Sequence, residues 1–498
     1  MTDATAYRLE GEDNTAVPFQ RYFGTAIVLM IPLCLMHLLV PTTSETTIYD
    51  GFLNSLGQLY MTAVFLGLAF RIIFAFPGAI WTPMFWLPVQ CGVFFGFGPL
   101  VEVFGNEYTR SYLSEYSLAI DSGQLTRANA LSVVGTTFVM FGVFLHLGFA
   151  RNMWTQALAL RPSPTAQTNG LKAAALIFVL AGFYLKYVLV MPSQYGGQVV
   201  PGVMVKMTAM LDAGFAMMAY LIVARRDSLL TLMFLALFPA HLALSFVSFS
   251  KSAVVIALLL PALGVYLANA KLKQLLMSFL VIGLLYSTLQ PYVHYGRAVI
   301  YNKTGTISLA TYSERAQIAG QFFVNQATVA TPPNIEERQS WWTRLSFVGQ
   351  QAFAIELYDS GQRGDTINRV WMYFIPRAIW RDKPVLYAPG LEFYYLVTLR
   401  ERVSFMPATV FGDLYWQYGW AGVVFGTTII GMLFSFLGVL CVRVVRRKQL
   451  VMLPVLAIIV EMSANALVRF VINGIISPLP LLAFYFVAFS VLSRLRLK

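Results

Sequence analysis

The chain is divided into apolar runs of about the length that crosses a bilayer. They fall near 24–41, 56–75, 84–104, 131–150, 171–191, 203–224, 228–249, 252–269, 275–291, 419–442, 450–472 and 475–493. A spanning helix needs about 20 apolar residues, because each adds about 1.5 Å against a hydrocarbon core of about 30 Å. Few folds remain open to such a chain. Inside lipid every backbone polar group must be satisfied within the protein, and runs of this length achieve that as helices. The expectation is an all-α polytopic membrane protein with about 12 transmembrane helices. Composition agrees: 58% of the 498 residues are hydrophobic and only 12% are charged, against about 25% charged in soluble domains. A disordered chain and a soluble multidomain enzyme are both excluded.

The net charge of +12 follows from topology rather than from a polyanionic partner. With both termini cytoplasmic, the inner segments hold 17 basic residues, among them Arg8, Arg71, Arg151, Arg225, Arg226, Lys271, Arg446, Arg447 and Lys498. The short outer loops hold only Arg110, Arg127 and Lys251, with Arg469 at the outer end of a span. This asymmetry is the positive-inside pattern. No nucleic-acid partner is expected, and the lipid bilayer is the first partner. The organisation expected is a cytoplasmic segment over 1–23, nine spans over 24–291, a large periplasmic loop over 292–410, three spans over 411–493 and a cytoplasmic tail over 494–498. No cleavable signal peptide precedes the first run, which serves as an uncleaved anchor.

The long outer connection has structure of its own. Trp341, Leu345, Val348, Ala352 and Ile355 recur at helical spacing, which predicts an amphipathic helix. It either lies on the bilayer surface or packs on the spans from outside. Trp371, Trp380, Phe393, Tyr394 and Tyr395 make the loop too aromatic for a disordered segment.

Metal and cofactor chemistry has little support. His37, His146, His241 and His294 are scattered, and Cys34, Cys91 and Cys441 lie inside apolar runs. Neither metal-ligand spacing nor a disulfide framework results. No P-loop, dinucleotide fingerprint or Ser-His-Asp arrangement occurs. The expectation is no metal and no cofactor.

Charge near the outer surface is the remaining signal. Arg377 and Arg381 are four apart in FIPRAIWRDKP, with Lys383 following. On one face of a short helix they suit a phosphate or diphosphate; equally they suit pairing with Asp382 and lipid headgroups. Asp413, with Gln417 one turn on, is placed to act as a general base or to complement a helix dipole. Lys251 in the turn SFSKSAVV is either functional or a lysine snorkelling from a helix end. His294 and Arg297 follow span nine, and Glu314 and Arg315 come next as a potential pair. Asp212 and Glu461 lie deep in spans, where an ionisable group marks either an ion path or a structural pair, with Lys186 and Lys206 as partners.

The stretch FIPRAIWRDKP (374–384), then GLEFYY, then FGDLYWQYGWAGVVFG (411–426) resembles the C-terminal part of bacterial O-antigen and oligosaccharide-repeat-unit polymerases of the Wzy type. The turn SFSKSA resembles that family's Ser-Arg turn, with Lys251 in the basic position, and the large outer loop resembles theirs. The resemblance implies a GT-C-like arrangement in the bacterial cytoplasmic (inner) membrane. It implies an enzyme working at the periplasmic face on oligosaccharide carried by undecaprenyl diphosphate. A chain-length regulator is a further partner it allows. Under that chemistry Arg377, Arg381, Lys383, Lys251 and Arg297 stabilise the departing diphosphate. Asp413, His294 and Asp382 are the catalytic candidates. Glu392, Tyr394, Trp380 and Arg315 are assigned to the substrate.

Two rival functions share these features. An O-antigen-ligase-type transferase moves finished glycan from the same carrier. A 12-span transporter or flippase of lipid-linked sugars has the same span count, but the long loop of major facilitator transporters is cytoplasmic and follows span six. Here that connection is only Arg225-Arg226-Asp227.

Overall fold

The structure is a computed structural model of the chain and describes residues 19–39, 48–107, 120–160, 168–198, 200, 202–304, 309–324, 341–375, 380, 388–399 and 406–495. All regular structure among the described residues is helical. Among the described residues ten helices are long and apolar enough to cross a membrane. They are α1 (Phe19–Leu39), α2 (Tyr49–Ala75), α3 (Pro83–Phe104), α4 (Ser122–Phe149), α5 (Gly170–Tyr195), α6 (Met204–Arg225), α7 (Ser228–Val247), α8 (Lys251–Asn269), α9 (Leu272–Thr304) and α13 (Thr409–Arg446). Between α9 and α13 lie α10 (Tyr312–Val324), α11 (Val348–Asp359) and α12 (Ala388–Thr398). Two shorter apolar helices, α14 (Leu450–Asn465) and α15 (Ile472–Ala488), follow α13. The protein is therefore a polytopic helical membrane protein. The twelve apolar runs of the sequence lie in helical segments; α14, which ends at Asn465, falls short of span length, whereas the last segment runs from the π-turn Ile472–Ile476 through a helix that reaches Leu495.

Helices α3 and α4 are the most enclosed, whereas α7 and α9 are the most exposed and offer Leu232, Leu235, Leu280 and Leu284 as apolar outer surface. The centre is a tight pair of α4 and α13. A Cβ on Gly142 would lie 2.0 Å from the Thr428 carbonyl oxygen, and one on Gly431 would lie 2.0 Å from that of Val139. Two reciprocal glycines thus bring backbone onto backbone, the usual way to gain packing where lipid removes any hydrophobic drive between helices. Helix α6 packs against α5, α8 and α14 on the other side.

Three sequence expectations change here. The ninth helix, whose apolar run ends near 291, continues to Thr304. Hydropathy falls beyond 291, yet Tyr292, Val293 and Ile300 still bury one face against Phe249, Ile318 and Phe322. The tenth span begins at Thr409 rather than 419, and Gly419 is a non-helical break within it (φ 60°, ψ −151°). The amphipathic helix expected from Trp341 starts at Val348, after a 3₁₀ turn over Thr343–Leu345. Its stripe of Val348, Ala352 and Ile355 is buried against α4 and α13, so it packs on the spans and does not lie on a bilayer surface.

Candidate functional site

The turn between α7 and α8 is built by two residues. Phe249 adopts a left-handed backbone (φ 51°) and buries its ring. Ser250 then caps α8, its side chain accepting from the Ala253 amide at 3.4 Å. Lys251 is thereby the first residue of α8 and is turned inward, only 6% exposed. Its ammonium donates to Gln290 Oε1 and lies 5.0 Å from the centroid of the Tyr286 ring. Tyr286, Gln290, Val293 and Arg297 are spaced four, three and four apart on α9, which puts them on one face. Arg297 closes the turn by donating from Nε to the Phe249 carbonyl at 3.0 Å.

Lys251 and Arg297 share a cavity of about 830 Å³ with Arg344, which arrives from the 3₁₀ turn before α11. Arg344 lies within electrostatic range of both other cations. Among the described residues no carboxylate lines the cavity. Below these cations the walls are apolar: Leu66 and Phe70 of α2, Phe85 and Trp86 of α3, Leu259 of α8, and Leu275 and Phe279 of α9. The lining extends along α9 from Leu272 to Arg297, roughly 37 Å at 1.5 Å per residue. The cavity thus runs about the thickness of a bilayer core. It is cationic at one end and apolar along the rest, which matches an anionic headgroup on a long hydrocarbon tail. Guanidinium and ammonium groups pair with phosphate oxygens through short charge-assisted hydrogen bonds.

The other expected site residues are placed as follows. His294 is half-buried one turn from Arg297, with Nε2 3.4 Å from Gln290 Nε2; it belongs to the polar group around Lys251. Arg315 is buried and turned to backbone, donating to the Ala310 carbonyl at 2.9 Å and the Ser248 carbonyl at 3.3 Å. It also stacks 3.8 Å over the Tyr195 ring, and burial lowers the pKa of its guanidinium. The expected pairing of Arg315 with Glu314 is replaced: Glu314 accepts from Lys303 at 2.6 Å and from the Thr311 amide at 2.9 Å, which holds its pKa at about 2.

Asp413 is fully buried and does not line the cavity. Its carboxylate accepts from Thr366 Oγ1 at 2.6 Å, from Gln417 Nε2 at 2.6 Å and from the Val471 amide at 3.0 Å. It ties α13 to the 3₁₀ segment Ile367–Phe374 and to the start of α15. Tyr394 is buried in a cluster with Phe393, Trp416 and Phe470; Glu392 beside it is half-buried. Trp380 stacks on Trp371 with ring centroids 5.9 Å apart. Arg377, Arg381, Asp382 and Lys383 lie outside the described residues.

The charges deep in the spans are paired. Asp212 meets Lys186 at 3.4 Å and His241 at 2.9 Å, and Tyr187 joins His241 at 2.7 Å. Lys206 meets Glu461 at 3.7 Å.

Sequence reasoning missed Gln290 and Arg344 as site residues. Gln290 carried a signal, since it precedes His294 by four positions and Arg297 by seven. Arg344 carried none, because it fitted the polar side of the expected amphipathic helix. Compared with protein families, with curated proteins and with solved structures, the chain matches none.

Proposed function

We propose that the protein is a membrane glycosyltransferase, a polysaccharide polymerase that joins oligosaccharide units carried on undecaprenyl diphosphate at the periplasmic face. One observation carries this reading: a single cavity holds Lys251, Arg297 and Arg344 at one end and apolar walls along the rest. The motifs around 374–384 and 411–426 and the Lys251 turn point the same way.

In the proposed reaction a sugar hydroxyl of the acceptor attacks the anomeric carbon of the donor. The bond from that carbon to the diphosphate oxygen breaks, the new glycosidic bond forms, and the lipid diphosphate leaves with the electron pair. The three cations stabilise the charge that develops on the leaving oxygen. His294, beside Gln290 and Lys251, is the group proposed to take the hydroxyl proton. Asp413, with its three donors, is proposed to hold the start of α13 in place. Arg377, Arg381 and Lys383 are proposed to meet the same diphosphate from the 374–384 stretch, and Glu392, Tyr394 and Trp380 to contact the glycan.

The test is reconstitution. Purified protein in detergent, given lipid-linked repeat units and no ion gradient, is expected to yield polymer, and R297A and K251A are expected to yield none while still accumulating in the membrane. Transport of the lipid-linked units without any new glycosidic bond would instead support a flippase. A deletion strain separates the remaining rival: loss of a polymerase leaves single repeats on the acceptor, and loss of a ligase leaves polymer on the carrier.

A further inference from the structure

Arg344 reaches the cavity from outside the membrane-spanning helices, and the contacts that bring it there are very close. Residues 341–347 cross the end of α3 as a strap. A Cβ on Gly98 would lie 2.1 Å from the Leu345 carbonyl oxygen, so strap backbone rests on α3 backbone and only glycine admits it. Trp342 donates its indole N–H to the Phe97 carbonyl at 3.1 Å, and its ring stacks on that of Phe97 with centroids 5.2 Å apart. Phe347 meets Phe94 edge-on at 5.9 Å. Between these anchors Arg344 and Leu345 enter the cavity.

The apolar and hydrogen-bonded anchors of the strap set where Arg344 stands beside Lys251 and Arg297. We propose that Gly98 and Trp342 are positioning residues that hold Arg344 against the other two cations, so that the anion site is complete only while the strap is docked on α3. Neither residue needs to touch the anion. The proposal rests on the diphosphate reading of the cavity and extends it, because it makes a segment outside the spans part of the headgroup site.

The experiment uses the full chain purified in detergent, with inorganic diphosphate as the probe, and compares wild type, G98A, R344A and the double variant. Strap position is followed separately through the reaction of an R344C thiol with a bulky, membrane-impermeant maleimide, with and without G98A. G98A and R344A are each expected to weaken diphosphate binding about tenfold, and the double variant to bind no worse than R344A alone, as for two residues acting through one contact. The R344C thiol is expected to react at least about fivefold faster when G98A is present. W342F keeps the ring stack and removes the N–H bond; it is expected to shift both readouts less, in the same direction, and it stands in if G98A does not fold. Additive losses in the double variant, or a labelling rate that G98A and W342F leave unchanged, would overturn the proposal. A wild type that binds no diphosphate, while G98A still speeds labelling, would instead overturn the diphosphate reading and leave the docking geometry standing.

Discussion

At the scale of single residues the site depends on where three cations are held. Each of Lys251 and Arg297 is expected to contribute about 1.5–3 kcal/mol to diphosphate binding, as charged hydrogen bonds do; K251A and R297A should therefore weaken it by one to two orders of magnitude in an equilibrium titration. Gln290 separates charge from packing. Q290E would place a carboxylate against the Lys251 ammonium, keeping the turn folded while neutralising the site. The expected outcome is an unchanged melting temperature with diphosphate binding lost; retained binding would remove Lys251 from the headgroup site. Asp413 is expected to behave in the opposite way. D413A strands Thr366, Gln417 and the Val471 amide and should destabilise the protein by about 3 kcal/mol or more, read as a fall in melting temperature. Lys251 and Arg297 were legible in the sequence as basic residues beside apolar runs on the outer face, where such groups suit an anionic headgroup. The burial of Asp413 was not, since its partners come from positions 366, 417 and 471, and no local pattern records their meeting.

At the scale of elements, α9 does two things at once. Its lipid-facing side is exposed, with Leu280 and Leu284 turned out, and its other side walls the cavity from Leu272 to Arg297. Gly283 lies in that wall with open space where a Cβ would be. G283F is therefore expected to fold as the wild type does and to fill the tail channel. Binding of a long-chain prenyl diphosphate should fall, while inorganic diphosphate still binds; equal binding of the long-chain lipid would show that the tail lies elsewhere. Hydropathy located all the apolar helices but misplaced the end of α9 by between three and four turns, at about 3.6 residues per turn, because Tyr292, Val293 and Ile300 stay buried among polar neighbours. The apolar stripe of α11 was also visible. Its docking on α4 and α13 was not, because a stripe shows that a face is covered and not what covers it.

At the scale of the whole molecule, the proposed function needs the cationic end of the cavity on the outer face. Ser360 and Ser228 are exposed at places the charge pattern assigns to opposite sides; Cys91 and Cys441 are buried and Cys34 is partly exposed, so the labelling is read in a C34S background. An impermeant thiol reagent applied to intact cells stripped of their outer membrane is expected to label S360C and to spare S228C; the reverse would invert the topology. The alternation of charge carried this topology in the sequence, since it is written along the chain. The cavity was hidden, because α2, α3, α8, α9 and the strap converge from separate stretches of sequence. The most direct measurement compares the binding of a long-chain polyprenyl diphosphate with that of the polyprenyl alcohol of equal length to the purified protein. A lipid diphosphate held by Lys251, Arg297 and Arg344 should bind at least about a hundredfold more tightly than the alcohol, with the advantage lost in R297A. Equal affinity for the two lipids, or an advantage that survives R297A, would contradict the assignment of the cavity.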